Sequence, residues 1–272
     1  MQNDLRNQGQ NGSTQGSGSV EWETWIEQLC QAKKSEYDLR AGGATNLQLE
    51  ERLEEVQRCV DLRLSRKHTR LYLFSRGIFM DRGQIARYVA RCDKPRGYGR
   101  VDDASPHILG VSRLLVRCAL DCWRAGVECS NEVREEEIRI SRSVKDLRVA
   151  IEPYFVRFEY QRSYLTPIRW EEKLHADILT YEKTRERCTY AYLIDDRMKV
   201  DDVRNAAKQV LAATHHQSLD MFRIAHMKEF LYTERNTVTE PLWKSPLDDR
   251  PHPLIRLYTH NAIADDVSAP DS

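Results

Sequence analysis

Glycine and proline are scarce in this chain, 12 and 9 of 272 residues, so it lacks the turn formers that a fold of many short strands consumes. A surplus of charge of either sign is also missing: Lys+Arg and Asp+Glu each number 42. Dedicated nucleic-acid binders carry a basic excess, because neutralising phosphates drives their affinity. Neutrality counts against that class and leaves room only for a local basic patch. No apolar run approaches the ~18 residues of a membrane-spanning helix, and no secretory leader is recognisable at the start. The seven cysteines, at 30, 59, 92, 118, 122, 129 and 188, are odd in number, and the chain exceeds the size of disulfide scaffolds. The expected setting is therefore reducing: the cytoplasm, with the nucleus as the alternative, and not the outside of the cell.

Familiar catalytic signatures are absent as well. There is no G-x-S-x-G, no H-E-x-x-H, and no glycine loop of Walker or Rossmann form. A non-enzymatic chain is the expectation that follows.

Hydrophobic residues make up 40% of the sequence and charged residues 31%, the balance of long amphipathic helices with charged outer faces. Residues 1–19, rich in Asn, Gln, Gly and Ser, cannot bury enough surface to offset ordering and read as a disordered tail. A helical domain is expected over 20–236. Trp22, Ile26 and Leu29 share a face in its first helix. Thr45 and Gln48 have capping-box spacing before a helix carrying Leu49, Leu53, Val56, Val60 and Leu64 to about Phe74. A shorter helix starts at Asp81 with Gln84 three residues on. The stretch 94–106, with two Pro and two Gly, is a loop that could separate two sub-bundles. Ser105-Pro106 and Thr166-Pro167 each pair a hydroxyl cap with a first-turn proline.

Val133, Ile140, Val144, Leu147, Ile151, Tyr154 and Phe158 alternate three-four like a coiled-coil seam, interrupted by Pro153. Trp170 through Tyr192 traces another helical face, and Val200 through Phe230 a third. Residues 237–272 hold five prolines between apolar islands at Leu242-Trp243, Leu254-Ile255 and Leu257-Tyr258, which suggests an extended strap docked on the body. The expected fold is all-α: an elongated or irregular helical bundle with a disordered N-terminal tail and a proline-containing C-terminal strap.

Several residue groups invite a chemical reading. Glu172 and His175 have the Glu-x-x-His spacing of di-iron bundles, but the one available partner is reversed, His226-Met-Lys-Glu229, so a solvated pair is the plainer reading. His215 and His226 would lie about 16 Å apart on a continuous helix, too far to share an ion, and read as core or boundary histidines. Cys118, Cys122 and Cys129 could seed a zinc site with His107. Their place on an apolar helix side favours thiols packed as small hydrophobes. No catalytic, cofactor or metal residue is therefore assigned. The basic region 82–124 carries the one candidate interface, to nucleic acid, through Arg82, Arg87, Arg91, Lys94, Arg96, Tyr98, Arg100, Arg113 and Arg117.

The runs YEKTR at 181–185 and DDRMKV at 195–200 loosely resemble the central region of BAR-domain dimers, over less than a quarter of the chain. That likeness implies a peripheral membrane-binding helical dimer, against which the missing basic surplus counts. The leading expectation is a scaffold or assembly protein that meets protein partners, or itself, through helix faces, with five Trp as candidate hot spots. RNA binding, in a viral or ribonucleoprotein setting, is the first alternative.

Overall fold

Capping chemistry sets the helix boundaries. Ser105 accepts the Ile108 amide hydrogen at 3.4 Å and opens α5 (Pro106–Ala125), which stops at Gly126 in the left-handed region (φ 69°). Asp81 and Gln84 form a reciprocal capping box on α4 (Arg82–Arg91). Thr166 caps α6 (Pro167–Thr184). The single helix expected from Leu49 to Phe74 is two, α2 (Leu49–Asp61) and α3 (Arg66–Ser75), because Arg63 turns left-handed (φ 53°) and Ser65 caps a new start. A further helix, α1 (Ser17–Ala41), precedes them.

The computed structural model describes residues 17–41, 49–95, 98, 105–151, 153–186, 188–195 and 198–255. Residues 1–16, most of the predicted disordered tail, lie outside these, as do the Thr45–Gln48 cap, Arg96, Arg100 and Leu257-Tyr258.

The expectation of an all-α helical bundle is overturned by a seven-stranded mixed sheet between two helical layers. β1 (Ser130–Ile138), β2 (Ser143–Ile151) and β3 (Tyr154–Gln161) form an antiparallel meander. β3, β4 (Cys188–Ile194) and β5 (Phe222–His226) then run parallel, joined by α6 and α7 (Val200–Ala213). Helix α8 (Met227–Tyr232) and the short antiparallel strands β6 (Trp243–Lys244) and β7 (Pro251–His252) complete the order.

The coiled-coil seam at 133–158 is thus a meander, with Pro153 in its second turn rather than inside a helix. Leu147, Val149 and Ile151 alternate along β2 and are fully buried. On β1 the inward positions are charged, Glu132, Arg134 and Glu136, so no apolar alternation marks the strand. The helix expected to run through Tyr192 ends at Thr184, and that expected through Phe230 is α7, β5 and α8 in succession. β4 is buried on both faces, and such a strand shows no period of two.

Alternation on β4 divides the interior. Ala191 and Leu193 join the larger core with Val149, Phe158, α1–α5 and α8, whereas Tyr190, Tyr192 and Ile194 face α6 and α7. Consecutive β–α–β crossovers stepping one way along a sheet leave their helices on the same face. Among the described residues no helix is long and apolar enough to cross a membrane.

The C-terminal segment is fastened to α5 by Asp121. This buried carboxylate accepts the Arg117 guanidinium (2.8 Å) and both the amide and hydroxyl of Thr237 (2.8 and 2.7 Å). Leu242, Trp243, Leu254 and Ile255 are buried behind it. Removing one partner of a buried ion pair strands the other, so Asp121→Ala should cost about 3–5 kcal/mol in urea unfolding and expose residues 233–255 to proteolysis.

Against α3, Glu23 of α1 takes Lys67 and Arg113 (4.0 Å), and the His68 ring lies 3.5 Å from it. Burial, with Arg113, Lys67 and Arg134 nearby, holds the His68 imidazole down to about 3, outweighing a carboxylate already shared with two cations. The unfolded chain takes up this proton near 6.5. Stability should therefore fall as pH drops from about 6.5 towards 3, by a few kcal/mol, and His68→Leu should flatten that slope in pH-dependent denaturant melts.

Candidate active site

α5 approaches the sheet at Gly110, where a Cβ would lie 2.3 Å from the Tyr160 ring; only glycine permits this contact. One turn earlier His107 stacks on the same ring, with centroids 5.6 Å apart and planes at 5°. The helix start is thereby pressed against the end of β3.

There β2 and β3 part. Their ladder runs from Ile151↔Tyr154 to Leu147↔Phe158, and the next step would set Asp146 opposite Glu159. Instead the Asp146 side chain accepts the Tyr160 amide hydrogen at 2.7 Å, taking the place of a ladder bond. Its other oxygen lies 2.9 Å from His107 Nε2. That hydrogen bond raises the imidazole above its ordinary range.

Glu159 lies on the α6 side of the opening. Its Oε1 takes the Lys173 ammonium, which also donates to Gln161 (3.1 Å). Its Oε2 is buried with no hydrogen-bond partner among the described residues. Burial raises the Glu159 carboxyl, the Asp146 charge adds to that rise, and Lys173 and Lys145 oppose it. The neighbouring Lys145 ammonium is itself buried, paired with Asp177 (2.8 Å) and bonded to Tyr192 (3.3 Å). Burial raises the Asp177 carboxyl, against the pull of Lys145. Asp146 raises and Arg162 lowers the His107 imidazole, and the Asp146 charge also acts on Arg134, whose guanidinium is bonded to the Leu62 and Ile108 carbonyls.

The residues singled out in the sequence are dispersed. Arg82, Arg87 and Arg91 are exposed along α4, and Arg82 lines a groove with Arg66, Lys67 and Arg70. Lys94 donates to the Cys92 carbonyl (3.3 Å) and Tyr98 to that of Leu64 (3.2 Å). Arg113 lies over the Trp22 ring, and Arg117 is wholly buried. Glu172 and His175 are both exposed on α6, His215 is in the turn after α7 and His226 at the end of β5. His107 is at the opposite end of α5 from Cys118, Cys122 and Cys129. Those three thiols do meet: their Sγ atoms lie within 4.8 Å of one another.

Asp146, Glu159, Lys173 and the His107–Asp146 contact were not anticipated. The signal lay in pairing Lys-Asp with Phe-Glu-Tyr-Gln across a hairpin, which is visible only once the meander is recognised. No family model, no curated protein and no solved structure matches this chain.

Gly110→Ala should push Tyr160 away and free Asp146, lowering the melting temperature by several degrees. Loss of the His107 ring contact, read by NMR of the imidazole, would accompany it. Gly126→Ala, with open space around its Cβ, should act only through its left-handed φ and leave that contact unchanged.

Proposed function

We propose that the chain is a divalent-cation-dependent phosphodiesterase acting on nucleic acid. The observation that carries this reading is the pair Asp146 and Glu159 at the parting of β2 and β3, with Glu159 Oε2 unpartnered and His107 and Lys173 alongside. Two carboxylates are hard oxygen donors of the kind that suit Mg²⁺ or Mn²⁺, and an imidazole beside them, a borderline nitrogen donor, favours Mn²⁺ of the two. Such an ion polarises a phosphoryl oxygen and lowers the pKa of a bound water to make an attacking hydroxide.

Asp146 and Glu159 would supply the oxygen donors and His107 a nitrogen. The three are not gathered within 4.8 Å of one another as they stand, so they would close on the ion from the α5 and α6 sides, and His107 Nε2 would give up its bond to Asp146. In the present arrangement the Lys173 ammonium supplies the positive charge at Glu159. With a cation there, the Lys173 ammonium would be released from Glu159 and could hold a phosphate oxygen as a point charge. A carboxylate pair can also hydrolyse glycosides, one acid and one nucleophile. Lys173 beside Glu159 and Arg162 near His107 favour an anionic substrate over a neutral sugar, whereas Lys145 is held by Asp177 and Arg134 by backbone carbonyls. The seven unpaired thiols fit a reducing cytoplasmic or nuclear location.

This reading departs from the non-enzymatic expectation and absorbs the nucleic-acid alternative, because cleavage requires binding. Of the five Trp proposed as scaffold contacts, Trp22, Trp170 and Trp243 are buried and Trp25 and Trp123 half-buried, which weakens the scaffold reading.

The test is cleavage of end-labelled single-stranded RNA and DNA with Mn²⁺, Mg²⁺ or EDTA. Metal-dependent cutting is expected. Asp146→Ala and Glu159→Gln should each reduce it by on the order of 10²-fold or more, and Lys173→Ala should lower kcat more than it raises KM. Binding without cutting in every metal would return the chain to the nucleic-acid-binding alternative. Neither binding nor cutting, with no Mn²⁺-induced rise in melting temperature, would leave the scaffold or membrane-surface readings.

A further inference from the structure

At the far end of α5 from His107, the helix presents Cys118 and Cys122 one turn apart, and both are buried. Gly126 then reverses the chain through its left-handed φ, and the Val127 amide returns to the Cys122 carbonyl at 2.9 Å. That reversal lays Cys129, also buried, back against the last turns of the helix. The three sulfurs lie within 4.8 Å of one another, and among the described residues they are the one set of three potential ligands gathered so closely.

Three thiols can pack as ordinary small hydrophobes. These three belong to the main apolar core, but one side of the cluster is charged. Glu132, its side chain almost wholly buried, sets Oε1 4.0 Å from Cys129 Sγ. Arg76 reaches into the same place, donating to Glu132 (2.9 Å) and to the Cys129 carbonyl (3.0 Å). Tyr72 donates its hydroxyl to the same Oε1 (2.5 Å), so the carboxylate is satisfied where it stands. At the thiols the pair supplies a carboxylate within reach and, in Arg76, a cation to offset the net negative charge of a trithiolate zinc.

We propose that Cys118, Cys122 and Cys129 bind one zinc ion as thiolates, with the Glu132 carboxylate as the nearest group to close the tetrahedron. Zinc–sulfur bonds of ~2.3 Å set ligand sulfurs about 3.8 Å apart, so the three need draw in by at most about 1 Å. The Cys118–Cys122 separation falls in the two-to-four-residue spacing of zinc pairs. Binding releases the thiol protons to solvent. The ion would pin the end of α5 to the start of β1, a structural role separate from the Asp146–Glu159 site.

The full chain, expressed with zinc in the medium, is expected to hold about one zinc per chain by elemental analysis. Exchange with Co²⁺ should give a sulfur-to-cobalt charge-transfer band that Cys122→Ser abolishes and Asp146→Ala leaves intact. Bound zinc that is lost in Asp146→Ala and retained in Cys122→Ser would assign the metal to the carboxylate site and overturn the proposal. So would a wild-type chain that shows no such band when loaded with cobalt. Should Cys122→Ser fail to fold, alkylation of the wild type decides. Three thiols that are protected with zinc and become reactive after chelation support the site, and protection indifferent to chelation refutes it.

Discussion

The approach of α5 to the sheet governs the rest of the molecule. At Gly110 the helix and the Tyr160 ring meet with no room for a methyl group. Because they meet there, His107 reaches Asp146 and the Tyr160 amide finds the Asp146 carboxylate. Further along the helix Asp121 takes Arg117 and Thr237. In its last turns the thiols gather against Cys129. One helix thus fixes the opening between two strands, the docking of the C-terminal segment and the cysteine cluster.

The chain's zero net charge coincides with heavy internal pairing. Lys145 with Asp177, Arg117 with Asp121 and Arg157 with Glu136 are buried or nearly so. Replacing such pairs by apolar side chains is often neutral or stabilising, so stability alone does not explain them. Their geometry is directional where apolar contacts are not. Arg157, held by Glu136 (2.8 Å) and Glu186 (2.8 Å), joins β1, β3 and the segment leading into β4.

What could be read from the sequence, and what could not, divides along the same line. Helices opening at Ser105-Pro106, Thr166-Pro167 and Asp81 were legible because a cap and a proline act locally. The sheet was not. On β1 the inward places go to Glu132, Arg134 and Glu136, which need partners on other elements before they can be buried. On β4 and β5 both faces are covered, so the apolar run could be read as helix. Val133, Val144 and Ile140, counted into a buried seam, are exposed. Asp146 and Glu159 were invisible for a related reason: their meaning depends on a hairpin register, and each alone is an ordinary acid in a charged stretch.

Lys145 and Asp146 are adjacent on β2, and Lys173 and Asp177 are one turn apart on α6. The buried Lys145–Asp177 bond therefore yokes the strand that carries one carboxylate to the helix whose ammonium holds the other. A slip of α6 would break that bond and drag Lys173 off Glu159 together. Strand and helix are thus tied at two points a single helical turn apart, so α6 cannot rotate without disturbing both carboxylates.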